Sequence, residues 1–234
     1  MVEKSILKFS DPELNNYIIK LKELEFDYNK YINQKIELEK ILIEFQHQHT
    51  IELGSLILNI LKLRKEKFHN DKELYEEAEK DEKQYQGQFN EEKDIEITIL
   101  DNDQKTKLKK HFRKASVLCH PDKVCENNKK EAQEIFIKLK QAYDKNDLKK
   151  VKEILKELQK GSFKSNSDTT SEIENIKKLI NQLKQKTKNI INEIISLESS
   201  ETYLEIIKIK DWNKYFKKKK KQLKKEYKDL KKSE

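Results

Sequence analysis

Between residues 12 and 65, apolar side chains return at helical intervals: Leu21, Leu24, Tyr28 and Tyr31, then Leu38, Leu42 and Phe45, and later Leu56. That period lines them along one side of a helix. Lys35, His49 and Glu52 interrupt the stripe, while Ile32, Ile36, Ile41, Ile43, Leu53, Ile57 and Ile60 widen it. A helix apolar over so broad an arc packs against more than one neighbour. Ser10-Asp11-Pro12-Glu13 is its start signal: a capping side chain, proline at the first helical position and an acid in the first turn. Gly54 marks a kink or break in the pattern.

A second long helix is cleaner. Ile173, Ile176, Ile180, Leu183, Thr187, Ile190, Ile194 and Leu197 keep a strict 3-4 spacing with one polar member, behind a capping box of Ser171 and Glu174. About 27 residues of helix are roughly 40 Å long. Such a helix needs an apolar partner, and the 12–65 helix is the other one of suitable length. The two are therefore expected to pair as a coiled-coil stalk, with a self-dimer as the rival.

Between them lie shorter patterns. The acidic stretch 71–82 is helical, with Gly87 as its expected end. Ile95, Ile97 and Ile99 alternate with polar residues but have no evident strand to pair with, and read as a connector. Helical spacing returns with Leu108, Phe112, Ala115 and Leu118 and stops at Pro121. A further helix is expected from Asn128, capped with the help of Glu131, through Ile135, Phe136, Leu139, Ala142 and Tyr143 and on through Val151, Leu155 and Leu158. Residues 161–170 are the one clear linker. The expected organisation is thus 1–70, an N-terminal coiled-coil helix; 71–100, an acidic helix and connector; 101–160, a helical hairpin domain; 161–170, a linker; and 171–234, a C-terminal coiled-coil helix with a lysine-rich tail.

Composition narrows the class. Of 234 residues 40% are charged, and only three are glycine and two proline. A sandwich or barrel with many tight turns is excluded, and glycine-rich phosphate loops with it. The fold is expected to be all-α. No apolar run approaches 18 residues, so no membrane span is expected. Cys119 and Cys125 cannot build a disulfide framework, which points to a reducing, cytoplasmic compartment. The net charge of +8 has two sources: residues 101–160 carry +7 and residues 214–234 carry +8, against −7 for residues 1–100.

The chemistry concentrates at His120-Pro121-Asp122, between two amphipathic helices and behind the basic run Lys109, Lys110, Arg113 and Lys114, with Lys123 just after it. Pro121 ends the first helix and fixes the turn, which is expected to present His120 and Asp122 at an exposed tip. Residues 103–145 resemble the core of a J domain, the module of DnaJ-type co-chaperones: the tripeptide, the basic helix before it with Phe112, and the helix after it with Ala132, Phe136, Leu139, Ala142 and Tyr143. The resemblance implies that His120, Pro121, Asp122, Lys109, Lys110, Arg113, Lys114 and Lys123 dock on an acidic surface of a DnaK-type chaperone and stimulate its ATP hydrolysis. It covers about a fifth of the chain. The family's first-helix signature, Tyr-x-x-Leu-Gly, is absent, as are a Gly/Phe-rich region and a Cys-x-x-Cys zinc repeat. The expected role is a specialised co-chaperone that brings its partner to one client or assembly. The alternative is a coiled-coil scaffold or interaction protein that keeps a J-like module and contacts nucleic acid through a basic tail.

Two further features bear on partners. Lys217, Lys218, Lys219, Lys220, Lys221, Lys224 and Lys225 read first as a solvated helix end and second as a polyanion site, nucleic acid foremost. The acidic 71–82 stretch is a candidate to cover the basic 107–114 face. No nucleophile, metal set or paired catalytic carboxylate is arguable from spacing, so neither enzyme activity nor a cofactor nor a metal is expected. His47 and His49, two apart on a helix, point about 200° from each other. The change Asp122→Asn is expected to leave stability nearly unchanged.

Overall fold

The computed structural model describes residues 12–161, 163 and 172–232. The capping residues expected at Ser10, Asp11 and Ser171, and most of the expected linker, lie outside them. The described residues form helices with no strand: α1 (Pro12–Lys67), α2 (Lys72–Glu92), α3 (Asn102–Cys119), α4 (Lys129–Asp144), α5 (Leu148–Lys160), α6 (Ile173–Ser199), α7 (Glu201–Ile206) and α8 (Trp212–Lys232), with a 3-10 turn at Glu126–Asn128. The chain divides into two compact units, residues 1–38 with 97–197 and residues 39–96 with 198–234. Each unit takes one half of α1.

In the first unit α3, α4 and α5 pack on one another. Their apolar faces, including Leu108 and Phe112, Leu139 and Tyr143, and Val151 and Leu155, share one core with Leu21, Tyr28, Ile32 and Ile36 of α1 and Ile176, Ile180 and Leu183 of α6. The two long stripes therefore do not form a stalk apart from the hairpin. Three shorter amphipathic helices offer more apolar surface than they cover among themselves, and α1 and α6 close over it. Lys35 of α1 and Glu193 of α6 add an ion pair at 2.6 Å.

Two local expectations are corrected in this unit. The helix expected to run from Asn128 past Tyr143 is two helices. Asn146 takes the left-handed conformation at φ 60°, which asparagine tolerates, and Asp147 restarts the chain by accepting from the Lys150 backbone N–H at 2.8 Å. Asn128 makes no side-chain cap; the 3-10 turn precedes α4 instead. The stretch read as a connector carries neither helix nor strand, and Thr98 donates its N–H to the Lys145 carbonyl at 3.0 Å.

The second unit is built on residues 39–67 of α1, α2 and α8. The Phe45 ring lies 5.2 Å from both Trp212 and Phe216. Glu92 of α2 accepts from Thr50 at 2.6 Å, and Lys65 pairs with Glu82. Gly54 does not break α1. A Cβ there would stand 2.6 Å from the Phe89 ring, so the glycine lets α2 approach closely. Gly87 does not end α2 either: the helix runs through it to Glu92, and the space around it is open.

Candidate functional site

The loop between α3 and α4 is set by the helix before it. Asp101 caps α3 through a full capping box, accepting from the Gln104 N–H at 2.7 Å while the Gln104 side chain accepts from the Asp101 N–H at 3.1 Å. The helix then buries Leu108, Phe112, Ala115, Ser116 and Cys119 on one face. The Phe112 ring stacks on Tyr143 of α4 at 4.0 Å, which fixes the hairpin. Ser116 donates to Asn33 of α1 at 3.0 Å, a buried polar contact that fixes the register between the two helices.

His120 does not sit at an exposed tip. It is 7% exposed, edge-on to the rings of Tyr28 at 5.9 Å and Phe136 at 4.7 Å. The Asp122 backbone N–H donates to its Nδ1 at 3.2 Å, so the neutral ring carries its proton on Nε2. Burial, aided by the charges of Lys123 and Lys186, pushes its pKa down to about 4, against an upward pull from Asp122. At neutral pH this histidine is uncharged.

Asp122 is held from two sides. The Tyr28 hydroxyl donates to Oδ2 at 2.5 Å and Lys186 Nζ donates to Oδ1 at 2.5 Å. Burial pushes the carboxyl pKa up, but these two hydrogen bonds and the Lys186 charge outweigh it and hold the group below the usual carboxylate range. The Tyr28 phenol is driven well above its ordinary value by burial and by the same carboxylate.

The basic residues divide between two environments. Lys109 and Arg113 meet Glu37 of α1, with Lys109 Nζ at 2.8 Å and Arg113 Nε at 2.9 Å; the acid against these two residues is therefore Glu37. Lys110 and Lys114 lie, with Lys152 of α5, near His111, whose pKa is lowered by burial first and by those three cations next. Pro121 and Lys123 are part-exposed at the loop, and Lys123 donates its backbone N–H to the His120 carbonyl at 3.0 Å. A cleft of about 540 Å3 opens beside the loop, lined by Pro121, Asp122, Glu25 of α1 and Lys178 and Lys186 of α6.

Sequence reasoning missed Tyr28, Glu37 and Lys186. Tyr28 was visible as a stripe position; the other two are ordinary charged residues flanking apolar ones, with no signal of what they face. In the second unit, Lys217, Lys218, Lys221, Lys224 and Lys225 are exposed on α8. Lys219 lies against the Tyr215 ring at 5.9 Å and Lys220 pairs with Glu52 at 3.0 Å. Among the described residues no group of three or more His, Cys, Asp or Glu side chains is placed to hold a metal ion, and no helix is long and apolar enough to cross a membrane. Set against known proteins, the chain matches no family model, no curated protein and no solved structure.

Proposed function

We propose that the chain is a J-domain-type co-chaperone whose docking residues are capped in cis by α1 and α6. The observation that carries this reading is the loop His120-Pro121-Asp122 joining two packed amphipathic helices, with a basic α3 leading into it. The cap adds a condition. Lys186 and Tyr28 occupy the Asp122 carboxylate, and Glu37 occupies Lys109 and Arg113. Glu37 thus stands where the acidic surface of a DnaK-type chaperone would stand, and docking exchanges one carboxylate for another. A second reading, a scaffold in which the loop is a structural joint, is favoured by the 7% exposure of His120.

Single-turnover ATP hydrolysis by DnaK-type chaperones of the same host separates the two. On the co-chaperone reading the wild type accelerates hydrolysis and Asp122→Asn abolishes the acceleration. Opening the cap with Glu37→Gln and Lys186→Met raises it several-fold. Rates unchanged by the wild type and by the opened variant alike overturn the co-chaperone reading and leave the scaffold.

A further inference from the structure

Eight of the eleven lysines of α8 gather on one side of the helix. At 3.6 residues per turn, Lys214, Lys217, Lys218, Lys221, Lys224, Lys225, Lys228 and Lys232 fall within an arc of about 120°. All eight are exposed. The stripe is about 27 Å long at 1.5 Å per residue, and the one acid at its margin is Asp229. The opposite face carries Trp212, Tyr215, Phe216, Leu223, Tyr227 and Leu230, and is used for packing: Phe216 is 1% exposed against Phe45.

We infer that this stripe binds the sugar-phosphate backbone of a double-stranded nucleic acid without reading its sequence. A rigid row of point charges of one sign matches a regularly spaced row of phosphates. Lysine suits this task, since it meets phosphate as a point charge and reads no fork geometry; α8 contains no arginine. Single strands are captured by aromatic platforms set among the cations, whereas the aromatic residues of α8 lie on the packed face. A membrane-surface helix needs its apolar face free for the lipid, and here Phe216 is buried and the other apolar residues of that face are half-buried. A specific protein interface wants buried tyrosine, tryptophan or arginine anchors, and the stripe has none. The inference is independent of the co-chaperone reading.

The test is fluorescence anisotropy of the full-length chain with labelled duplex DNA in two unrelated sequences, the same duplexes as RNA, a single strand, and vesicles rich in phosphatidylserine. With about five phosphates contacted, the log–log salt slope is about −4.5, and affinity falls about 500-fold between roughly 50 and 200 mM salt. The two sequences bind equally within about twofold, and the DNA and RNA arms tell which duplex is preferred. Replacing Lys217, Lys221, Lys224 and Lys228 with Gln brings the slope to about −1 and weakens binding more than about 100-fold at low salt. The same number of Gln replacements at Lys149, Lys152, Lys156 and Lys160, exposed on α5, changes affinity less than about twofold. Thermal melting verifies that both variants are folded. Wild type that ignores both duplexes at low salt, tighter binding to vesicles or single strand than to duplex, or a loss that follows the α5 set and not the α8 set, each overturns the inference.

Discussion

The loop after α3 and the basic face of α8 are made from the same kinds of residue and treat them in opposite ways. At the loop, the central charged and polar groups are met from within the same unit: Asp122 by Tyr28 and Lys186, Arg113 and Lys109 by Glu37, His120 by two aromatic rings. On α8 the helix buries Phe216, half-buries its other apolar residues and leaves a stripe of eight lysines on the far side in solvent. The difference follows from where apolar surface remains. The α3–α5 group needs covering, so α1 and α6 are drawn over it and bring their charges to the loop. The exposed side of α8 has no apolar surface left to attract a neighbour, so its charges stay open.

The sharpest way to break the contrast is to remove the core beneath one side. Phe112→Ala deletes a fully buried ring stacked on Tyr143 and should cost about 3–5 kcal/mol in urea unfolding. Four Gln replacements on the α8 stripe should leave stability within about 0.5 kcal/mol. Equal losses in both would mean that the lysines are structural.

Acid probes the loop next. His120 has its folded pKa lowered from 6.5 to about 4 by burial, so below pH 6.5 the unfolded chain takes up a proton that the folded chain refuses. Stability is full above about pH 6.5 and should fall by about 3 kcal/mol as the pH drops to 4, at 1.36 kcal/mol per unit. The depressed carboxyl of Asp122 adds a loss in the same direction at lower pH, as it becomes protonated. Melting curves of His120→Gln should lose the segment between pH 6.5 and 4. A slope unchanged in that variant would place the titration elsewhere.

The clamp on Asp122 is a smaller effect. Two charge-assisted hydrogen bonds at a part-buried site make Asp122→Asn cost about 1–2 kcal/mol, which replaces the expectation of near-neutrality drawn from an exposed tip. A double-mutant cycle with Lys186→Met should return a coupling of about 1 kcal/mol; zero coupling would mean the ion pair is dispensable.

The smallest effects compare two glycines inside helices. Gly87→Ala, in open space, should stabilise by about 0.5–1 kcal/mol through helix propensity. Gly54→Ala places a methyl against the Phe89 ring and should destabilise by a similar amount. Stabilisation by both would show that the ring yields freely.

The helices themselves were legible because amphipathic period is a local property. The 3-4 spacing of Ile173 to Leu197 is α6, and its stripe members Ile176, Ile180, Leu183 and Ile194 are buried. The missed break at Asn146 was written in local residues, an asparagine fit for positive φ beside an aspartate fit to cap, but the apolar spacing continued across it and masked the stop. The loop's surroundings were not legible. Tyr28 is 94 residues from Asp122, Lys186 is 64 away, and Glu37 is 76 from Arg113. A pattern along one helix says that a polar residue faces sideways; which helix comes to face it is decided by the packing of the whole unit.

Cys119 gives this molecule a built-in clock. Its thiol is wholly enclosed, donates to the Ala115 carbonyl at 3.3 Å and has its pKa pushed up to about 12 by burial. A thiol reagent therefore reaches it only when α3 parts from its neighbours, whereas Cys125, six positions on and part-exposed, is accessible in the folded state. One labelling experiment on the unmodified chain then yields two rates. The fast one counts collisions at the surface, and the slow one times how often the hairpin opens.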